Sequence, residues 1–279
     1  MRIKFWGCRG SIPVPDGRMI KYGGNTTCVE IEVGGKTIII DAGTGIRKLG
    51  EDLEKRAISE VFLFITHSHW DHIQGFPFFK PIYESDMKIN VCGSTKSYRQ
   101  LKDILSQQMS YEFFPVRFSE LKSDISFMEI GESAEKLDGI RIKTIHTNHT
   151  VYTMGIRIES NGSSFVFITD NELKKDDPET GWEEFVQFCS GATYLVHDAQ
   201  FTEKEYKKRA GWGHSSFEQV VELAKEAGVL NLGFFHHDPD RMDSELDRIG
   251  EEFISDCRKK KCGFNVFVMK EQDEIFLDG

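Results

Sequence analysis

One short segment of the sequence carries four side chains that can bind metal ions. It reads His67-Ser-His69-Trp-Asp71-His72. Imidazole and carboxylate groups together suit zinc, manganese or iron. Four ligands this close along the chain do not easily reach one tetrahedral ion, so the spacing indicates two neighbouring ions. His67 and His69 would bind one ion, and Asp71 with His72 the other.

Further polar side chains come directly after predicted buried strands, as residues 67–72 do. Strand ends are rigid platforms from which loops present ligands, and ligand sites of α/β sheets gather there. We therefore expect these residues to approach the 67–72 segment, although His197 could equally be an ordinary buried histidine. They are Asp170 after strand 165–169, His197 and Asp198 after strand 193–196, and His236 after strand 231–235.

The elements that must position these groups form an α/β pattern. Thr37 to Ile40 is a continuous β-branched run, typical of a strand covered on both faces. Helices are expected at 46–56, 94–109 and 241–258, and Ser215 to Gly228 has a capping box of Ser215 with Glu218. Residues 264–276 are expected to form a final pair of strands. Strands followed by helices occur twice, which predicts two packed sheets with helices outside, in one domain over residues 1–279.

Composition excludes several classes of function. Lys and Arg number 35 and Asp and Glu 45, giving a net charge of −10. Such a chain is a poor general binder of nucleic acid or anionic lipid. No apolar run approaches membrane-spanning length, and the N-terminus has no signal-peptide core. The six scattered cysteines contain no CxxC pair, which favours free thiols and a cytoplasmic protein.

The 67–72 segment resembles the metal-binding motif of the metallo-β-lactamase superfamily. The order of the later motifs is also similar: Asn148-His149, then Phe167-Ile-Thr-Asp170, then Phe235-His236. The resemblance implies a four-layer αββα sandwich with two mixed sheets. It implies two divalent metals, with zinc expected and manganese or iron as alternatives, and Asp41 orienting a ligand histidine. The implied ligands are His67, His69 and His149 on the first metal, Asp71, His72 and His236 on the second, and Asp170 bridging both.

Two neighbouring histidines compete with these ligands. His146 lies three residues before His149 and could replace it, although the spacing to Gly155 favours His149. His237 follows His236, and the alternation of side chains along a strand sends the two in opposite directions. We expect His236 to be the ligand and His237 to lie in the outer pocket.

Two further motifs resemble the phosphodiesterase branch of the superfamily, which includes the tRNA 3′-processing endonucleases. They are Gly213-His214-Ser-Ser and Val196-His-Asp198-Ala. The resemblance implies that His214 is the general acid for the leaving oxygen and that Asp198 keeps it protonated. The alternative is that Ser215 merely caps a helix and His214 is incidental.

The chain departs from the tRNA enzymes because no basic arm is visible. Residues 73–143 carry ten Lys or Arg and ten Asp or Glu. The start of the chain instead resembles bacterial hydrolases of small phosphodiesters, including cyclic nucleotides. Trp6, Arg9 and Asn25 could line the pocket, or Trp6 could simply belong to the core.

The predicted function is hydrolysis of a phosphodiester, of a small or cyclic nucleotide, by two metal ions. A hydroxide bridging the ions attacks phosphorus, Asp71 helps to orient it, and His214 protonates the leaving alkoxide, with Asp198 supporting His214. The alternative is a thioester or lactone hydrolase, similar to glyoxalase II, with the same metal site and no need of His214. The expected partner is a small phosphorylated substrate. Neither a large RNA nor a membrane is expected, and a homodimer is compatible with the sequence.

Overall fold

The computed structural model describes residues 1–94, 98–131, 135–137, 139–176 and 178–277. The strands are β1 (Arg2–Gly7), β2 (Cys28–Val33), β3 (Lys36–Ile40), β4 (Glu60–Phe64), β5 (Lys88–Ser94), β6 (Asp124–Ile130), β7 (Glu135–Leu137), β8 (Ile140–Thr147), β9 (Thr153–Ser160), β10 (Ser163–Ile168), β11 (Tyr194–Asp198), β12 (Asn231–Phe235), β13 (Asn265–Val268) and β14 (Glu274–Phe276). The α-helices are α1 (Ile46–Lys55), α2 (Trp70–Ile73), α3 (Tyr98–Gln108), α4 (Trp182–Cys189), α5 (Glu203–Arg209), α6 (Phe217–Glu226) and α7 (Asp243–Lys260). No helix in these ranges is long and apolar enough to cross a bilayer.

The strands form two mixed sheets of seven. The first has the order β14-β1-β2-β3-β4-β5-β6, and the second has the order β13-β12-β11-β10-β9-β8-β7. Strands β3 to β6 run parallel in the first sheet, and β10 to β13 run parallel in the second. The other pairings are antiparallel.

Side-chain alternation along the central strands produces the four layers. On β3, Ile38 and Ile40 join the core between the sheets, whereas Ile39 faces the first helical layer with α1 and α3. On β10, Phe165 and Phe167 face the central core, and Val166 joins the layer with α4, α6 and α7. A strand buried on both faces needs apolar residues at every position. The predicted αββα sandwich is therefore confirmed.

The carboxyl ends of the parallel strands position the candidate site. Asp41 follows β3, residues 67–72 follow β4, Asp170 follows β10 and His236 follows β12. His149 lies in the turn between β8 and β9. The sheets thus bring groups far apart in sequence to one edge, where parallel sheets commonly bind ligands.

Three local predictions are corrected by the structure. The capping box of α6 is Ser216 with Gln219, whose backbone N–H lies 3.3 Å from the Ser216 hydroxyl, while the Ser215 hydroxyl donates to the Asn171 carbonyl at 2.6 Å. The last two strands are not a pair, because β13 extends the second sheet and β14 the first. Ser94 belongs to β5 rather than to a helix, and residues 95–97 lie outside the described residues.

Candidate metal centre

The segment after β4 is shaped by the short helix α2. His69 is its N-cap, with extended backbone, and Asp71 and His72 lie in its single turn. His67 precedes this turn, and its ring lies edge to face with that of His69, with centroids 4.6 Å apart. The change from extended chain to helix aims four closely spaced side chains in two directions.

One group of donors consists of His67, His69, His149 and Asp170, whose ligand atoms all lie within 4.8 Å of one another. His149 Nε2 lies 3.1 Å from His69 Nδ1 and 3.6 Å from Asp170 Oδ1. His149 Nδ1 lies 3.1 Å from the Gly213 carbonyl, which accepts its hydrogen bond and leaves Nε2 facing the group.

A second group consists of Asp71, His72 and His236, again within 4.8 Å. Asp71 Oδ2 lies 3.2 Å from Nε2 of both histidines and accepts a 2.7 Å hydrogen bond from the Ser11 backbone N–H. Asp41 Oδ2 lies 2.8 Å from His72 Nδ1, which fixes the orientation of this ring. Asp41 itself is held by the Thr66 backbone N–H at 2.7 Å.

Asp170 faces both groups with its two carboxylate oxygens. Oδ1 lies 3.8 Å from His67 Nε2 and 3.6 Å from His149 Nε2. Oδ2 lies 3.1 Å from His72 Nε2 and 3.4 Å from His236 Nε2. This is the arrangement required of a carboxylate shared by two ions.

The donor chemistry fits two divalent ions. His67 Nε2 and His72 Nε2 are buried, and neither atom makes a hydrogen bond of acceptable geometry. Such buried nitrogen atoms are costly unless a metal ion binds them. Burial lowers the pKa of His67 far below its usual range and that of His149 to about 4, so both rings present lone pairs. Burial would raise the pKa of Asp71, but the neighbouring rings of His72 and His236 hold this pKa well below its usual range.

His214 and Asp198 form a buried pair beside these groups. His214 Nδ1 lies 2.6 Å from Asp198 Oδ2, and a ring nitrogen of His214 lies within 4.8 Å of donor atoms of Asp170 and His236. Burial acts to lower the pKa of His214, but the charge of Asp198 and the hydrogen bond to it raise the pKa to about 9. Asp198 thus favours the protonated form of His214 beside the candidate metal ligands.

Sequence analysis missed Glu172, which holds the loop before His214. Its carboxylate is 1% exposed and accepts hydrogen bonds from the backbone N–H groups of Gly211 at 2.8 Å and Gly213 at 3.0 Å. It also accepts one from the Tyr206 hydroxyl at 3.0 Å. The only signal in the sequence was a carboxylate two residues after Asp170, which by itself predicts nothing.

Three other histidines lie outside the donor groups. The His146 ring stacks on Tyr152 with centroids 4.2 Å apart. His197 Nε2 lies 3.1 Å from the Asn171 amide, and its Nδ1 lies 2.6 Å from the Asp198 carbonyl. His237 is 1% exposed with Nε2 2.6 Å from the Met269 carbonyl, so its predicted place in the outer pocket was wrong.

The three N-terminal residues considered as pocket lining have structural contacts instead. Trp6 is 4% exposed and its indole N–H donates to Glu30 at 3.0 Å. Arg9 is fully buried and donates to the backbone carbonyls of Gly23, Asp238 and Arg241. Asn25 binds the Glu271 carboxylate. Arg9 thereby ties the N-terminal loop to the segment after His236.

Four residues at the site have a left-handed backbone conformation. Asp41, Asp170, His236 and Ser11 adopt left-handed φ values of 63°, 51°, 57° and 66°. Such a conformation costs a non-glycine residue about 1–3 kcal/mol and persists only where the surroundings impose it. The strain falls on candidate ligands and on the residues that hold them.

An αββα sandwich with this His/Asp cluster at the ends of its strands defines a metal-dependent hydrolase of the metallo-β-lactamase fold. The sequence pattern of the family described as "Beta-lactamase superfamily domain" matches residues 36–237, so the chain belongs to that family. The resemblance noted from the sequence is thus confirmed.

The chain is similar to several characterised proteins. A ribonuclease Z of Picrophilus torridus is 22% identical over 278 residues, covering 85% of each chain. The structure of the short form of human tRNase Z has a TM-score of 0.67 with 18% identity and covers all of both chains. Unliganded yeast PDE1 has a TM-score of 0.71 with 15% identity over 99% of both chains.

Proposed function

We propose that this protein hydrolyses phosphodiester bonds of small nucleotides, cyclic ones included, with two divalent metal ions, and that the ions are zinc. The observation that carries the proposal is the His214–Asp198 pair, 2.6 Å apart, beside Asp170 and His236. Hydrolysis of a thioester does not need a buried acid at this point, because a thiolate leaves readily without a proton. An alkoxide does need one.

Seven residues would hold the metals. Bound there, the ions would place positive charge beside the phosphoryl oxygens and lower the pKa of a water. His67, His69 and His149 would bind one ion. Asp71, His72 and His236 would bind the other, with Asp170 between them. Manganese and iron suit the same nitrogen and oxygen donors, so metal analysis must decide between them and zinc.

The chain's own groups would handle orientation and protons. Asp71, held by the Ser11 N–H, would accept a hydrogen bond from the attacking water and orient it. His214 donates Nδ1–H to Asp198 and would hold its second proton at Nε2, facing the cluster. That proton would pass to the leaving oxygen as its bond to phosphorus breaks.

Charge supports a small substrate. The chain has a net charge of −10, whereas a protein that binds many phosphates needs many Lys and Arg residues. The similarity to ribonuclease Z and tRNase Z supports phosphodiester chemistry, and it makes a precursor tRNA the substrate against which small nucleotides must be compared.

The first test is a substrate panel on the zinc-loaded and manganese-loaded protein. It contains an aryl phosphodiester, a cyclic nucleotide, a dinucleotide, a precursor tRNA, lactoylglutathione and a lactone. We expect the largest kcat/KM on a cyclic nucleotide or dinucleotide. A larger kcat/KM on the precursor tRNA would overturn the small-substrate proposal, and one on lactoylglutathione or the lactone would overturn the phosphodiesterase proposal.

The second test uses His214→Ala at fixed metal occupancy. We expect kcat to fall by roughly 10²- to 10⁴-fold on a dinucleotide, whose alkoxide needs a proton, and much less on an aryl diester. Asp198→Asn should show a smaller loss of the same kind. His146→Ala is the matched control, since His146 lies outside the donor groups. Equal losses on both substrates would remove the acid role from His214.

A further inference from the structure

A cavity of about 550 Å³ opens directly beside the metal-binding segment. Its lining includes Ser68 and Trp70, which alternate along the chain with the candidate ligands His69 and Asp71. Ser68 and Trp70 therefore belong to the same segment, residues 67–72, as four candidate ligands. The size of the cavity falls within the range of about 300–1,000 Å³ typical of small-molecule sites.

The walls of this cavity are aromatic and exposed. Trp70, Phe78 and Phe113 are 76%, 56% and 71% exposed. Phe114 packs edge to face on Phe78 with centroids 5.4 Å apart, which fixes one wall. Exposed aromatic faces gathered at one cavity indicate a binding site for a planar group.

The polar part of the lining is neutral. It consists of Ser68 and the amides of Gln74, Gln107 and Gln108, and no lining residue is charged. Gln108 donates to the Ile73 carbonyl at 3.0 Å and so joins α3 to α2. The absence of charge among these residues argues against a phosphate here. The amides argue against a purely aliphatic chain, which would desolvate them without compensation.

We infer that this cavity binds the nucleobase of the nucleotide whose phosphodiester reacts at the metal centre. A nucleobase is neutral and planar, stacks on aromatic rings, and has a hydrogen-bonding edge for the amides. The inference rests on the proposed function, because it takes the reacting group to be a phosphodiester. It deepens that proposal by assigning Trp70, Phe78 and Phe113 to recognition of the base.

The test compares two diesters that differ only in the base: the methyl ester of AMP and the methyl ester of ribose 5-phosphate. Both have the same charge and the same poor leaving group. We expect kcat/KM to be roughly 5- to 100-fold higher for the nucleotide. Phe113→Ala should reduce this ratio. Phe276→Ala is the matched control, since Phe276 is also 65% exposed but lies on β14, at the opposite edge of the sheet from β6.

The outcomes separate this inference from the proposed function. Turnover of both esters with equal kcat/KM would overturn the base pocket and leave the phosphodiesterase standing. If neither ester reacts, the substrate panel decides the proposed function, and calorimetric titration with AMP and ribose 5-phosphate decides the pocket. Tighter binding of AMP that weakens in Phe113→Ala would support it, and equal binding would overturn it. A dimer that Phe113→Ala dissociates would also overturn it, because a second copy would then cover the cavity.

Discussion

At the scale of single residues, three candidate ligands are held by a second contact away from the metal cluster. Asp41 orients His72, the Gly213 carbonyl orients His149, and the Ser11 N–H holds Asp71. Such contacts set which ring nitrogen is available and which way it points. Asp170 differs from the others because its two oxygens face both donor groups.

Asp170→Asn tests that shared position. Asparagine tolerates the left-handed backbone found there, so the fold should survive while one anionic oxygen is replaced by an N–H₂ group. We expect the parent to hold two ions per chain and the purified variant to lose both. Elemental analysis measures this directly. A variant that retains two ions would show that Asp170 is not the bridge.

Glu172→Gln tests the loop that carries His214. The change replaces one acceptor oxygen and the charge, weakening hydrogen bonds to Gly211 and Gly213 that are worth roughly 1.5–3 kcal/mol each. We expect a lower Tm and a loss of kcat that is larger on a dinucleotide than on an aryl diester. Glu179→Gln is a control on an exposed carboxylate. A lower Tm with equal losses on both substrates would limit Glu172 to a structural role.

At the scale of elements, two loops pack closely against the donor groups, and each does so at a glycine residue. A Cβ on Gly10 would lie 2.6 Å from the His236 ring, and one on Gly213 would lie 2.2 Å from His149 Nδ1. Gly213 also has a φ of +81°, which side chains rarely adopt. Each loop therefore touches a ligand of a different donor group.

The two alanine variants should separate the metal sites. Gly10→Ala should displace His236 and weaken the ion held with Asp71 and His72. Gly213→Ala should displace His149 and weaken the other ion. Titration of metal-free protein with zinc should show one weakened site in each variant, and Gly17→Ala, where a Cβ meets nothing within 4 Å, should leave both unchanged. If Gly10→Ala and Gly213→Ala weaken the same site, the proposed division of ligands is wrong.

At the scale of the whole molecule, the site depends on how the two sheets pack. Phe5 on β1 meets Phe235 on β12 with ring centroids 6.0 Å apart, and Phe235 meets Phe167 on β10 at 5.1 Å. Phe235 directly precedes His236, and Phe167 lies three residues before Asp170. The central core therefore sets the distance between ligands from the first sheet and ligands from the second.

Phe167→Ala should destabilise the protein by about 3–5 kcal/mol, because the ring is fully buried and its removal leaves a cavity. Chemical denaturation measures the free energy of unfolding. Phe276→Ala, at a largely exposed ring, should change it by less than about 0.5 kcal/mol. Similar values for the two variants would mean that the core between the sheets collapses around the missing ring.

The sequence by itself determined the parts of this protein that rest on local pattern. Runs such as Thr37 to Ile40 predicted buried strands, because a strand covered on both faces must be apolar at every position. The spacing of residues 67–72 indicated two metals, because one ion cannot easily take four ligands from six residues. The motif around His214 pointed to a proton donor beside them.

Only the tertiary structure decided what depends on distant chain segments meeting. The sheet to which β14 belongs depends on its pairing with β1, more than 260 residues away. The choice of His149 over His146 for the donor group is visible in space, where His146 stacks on Tyr152. Glu172 and the aromatic cavity carry no sequence signal, because a buried acceptor and an open cavity are defined by the partners around them. Those partners are brought together by packing of the two sheets and their helices, which local sequence does not encode.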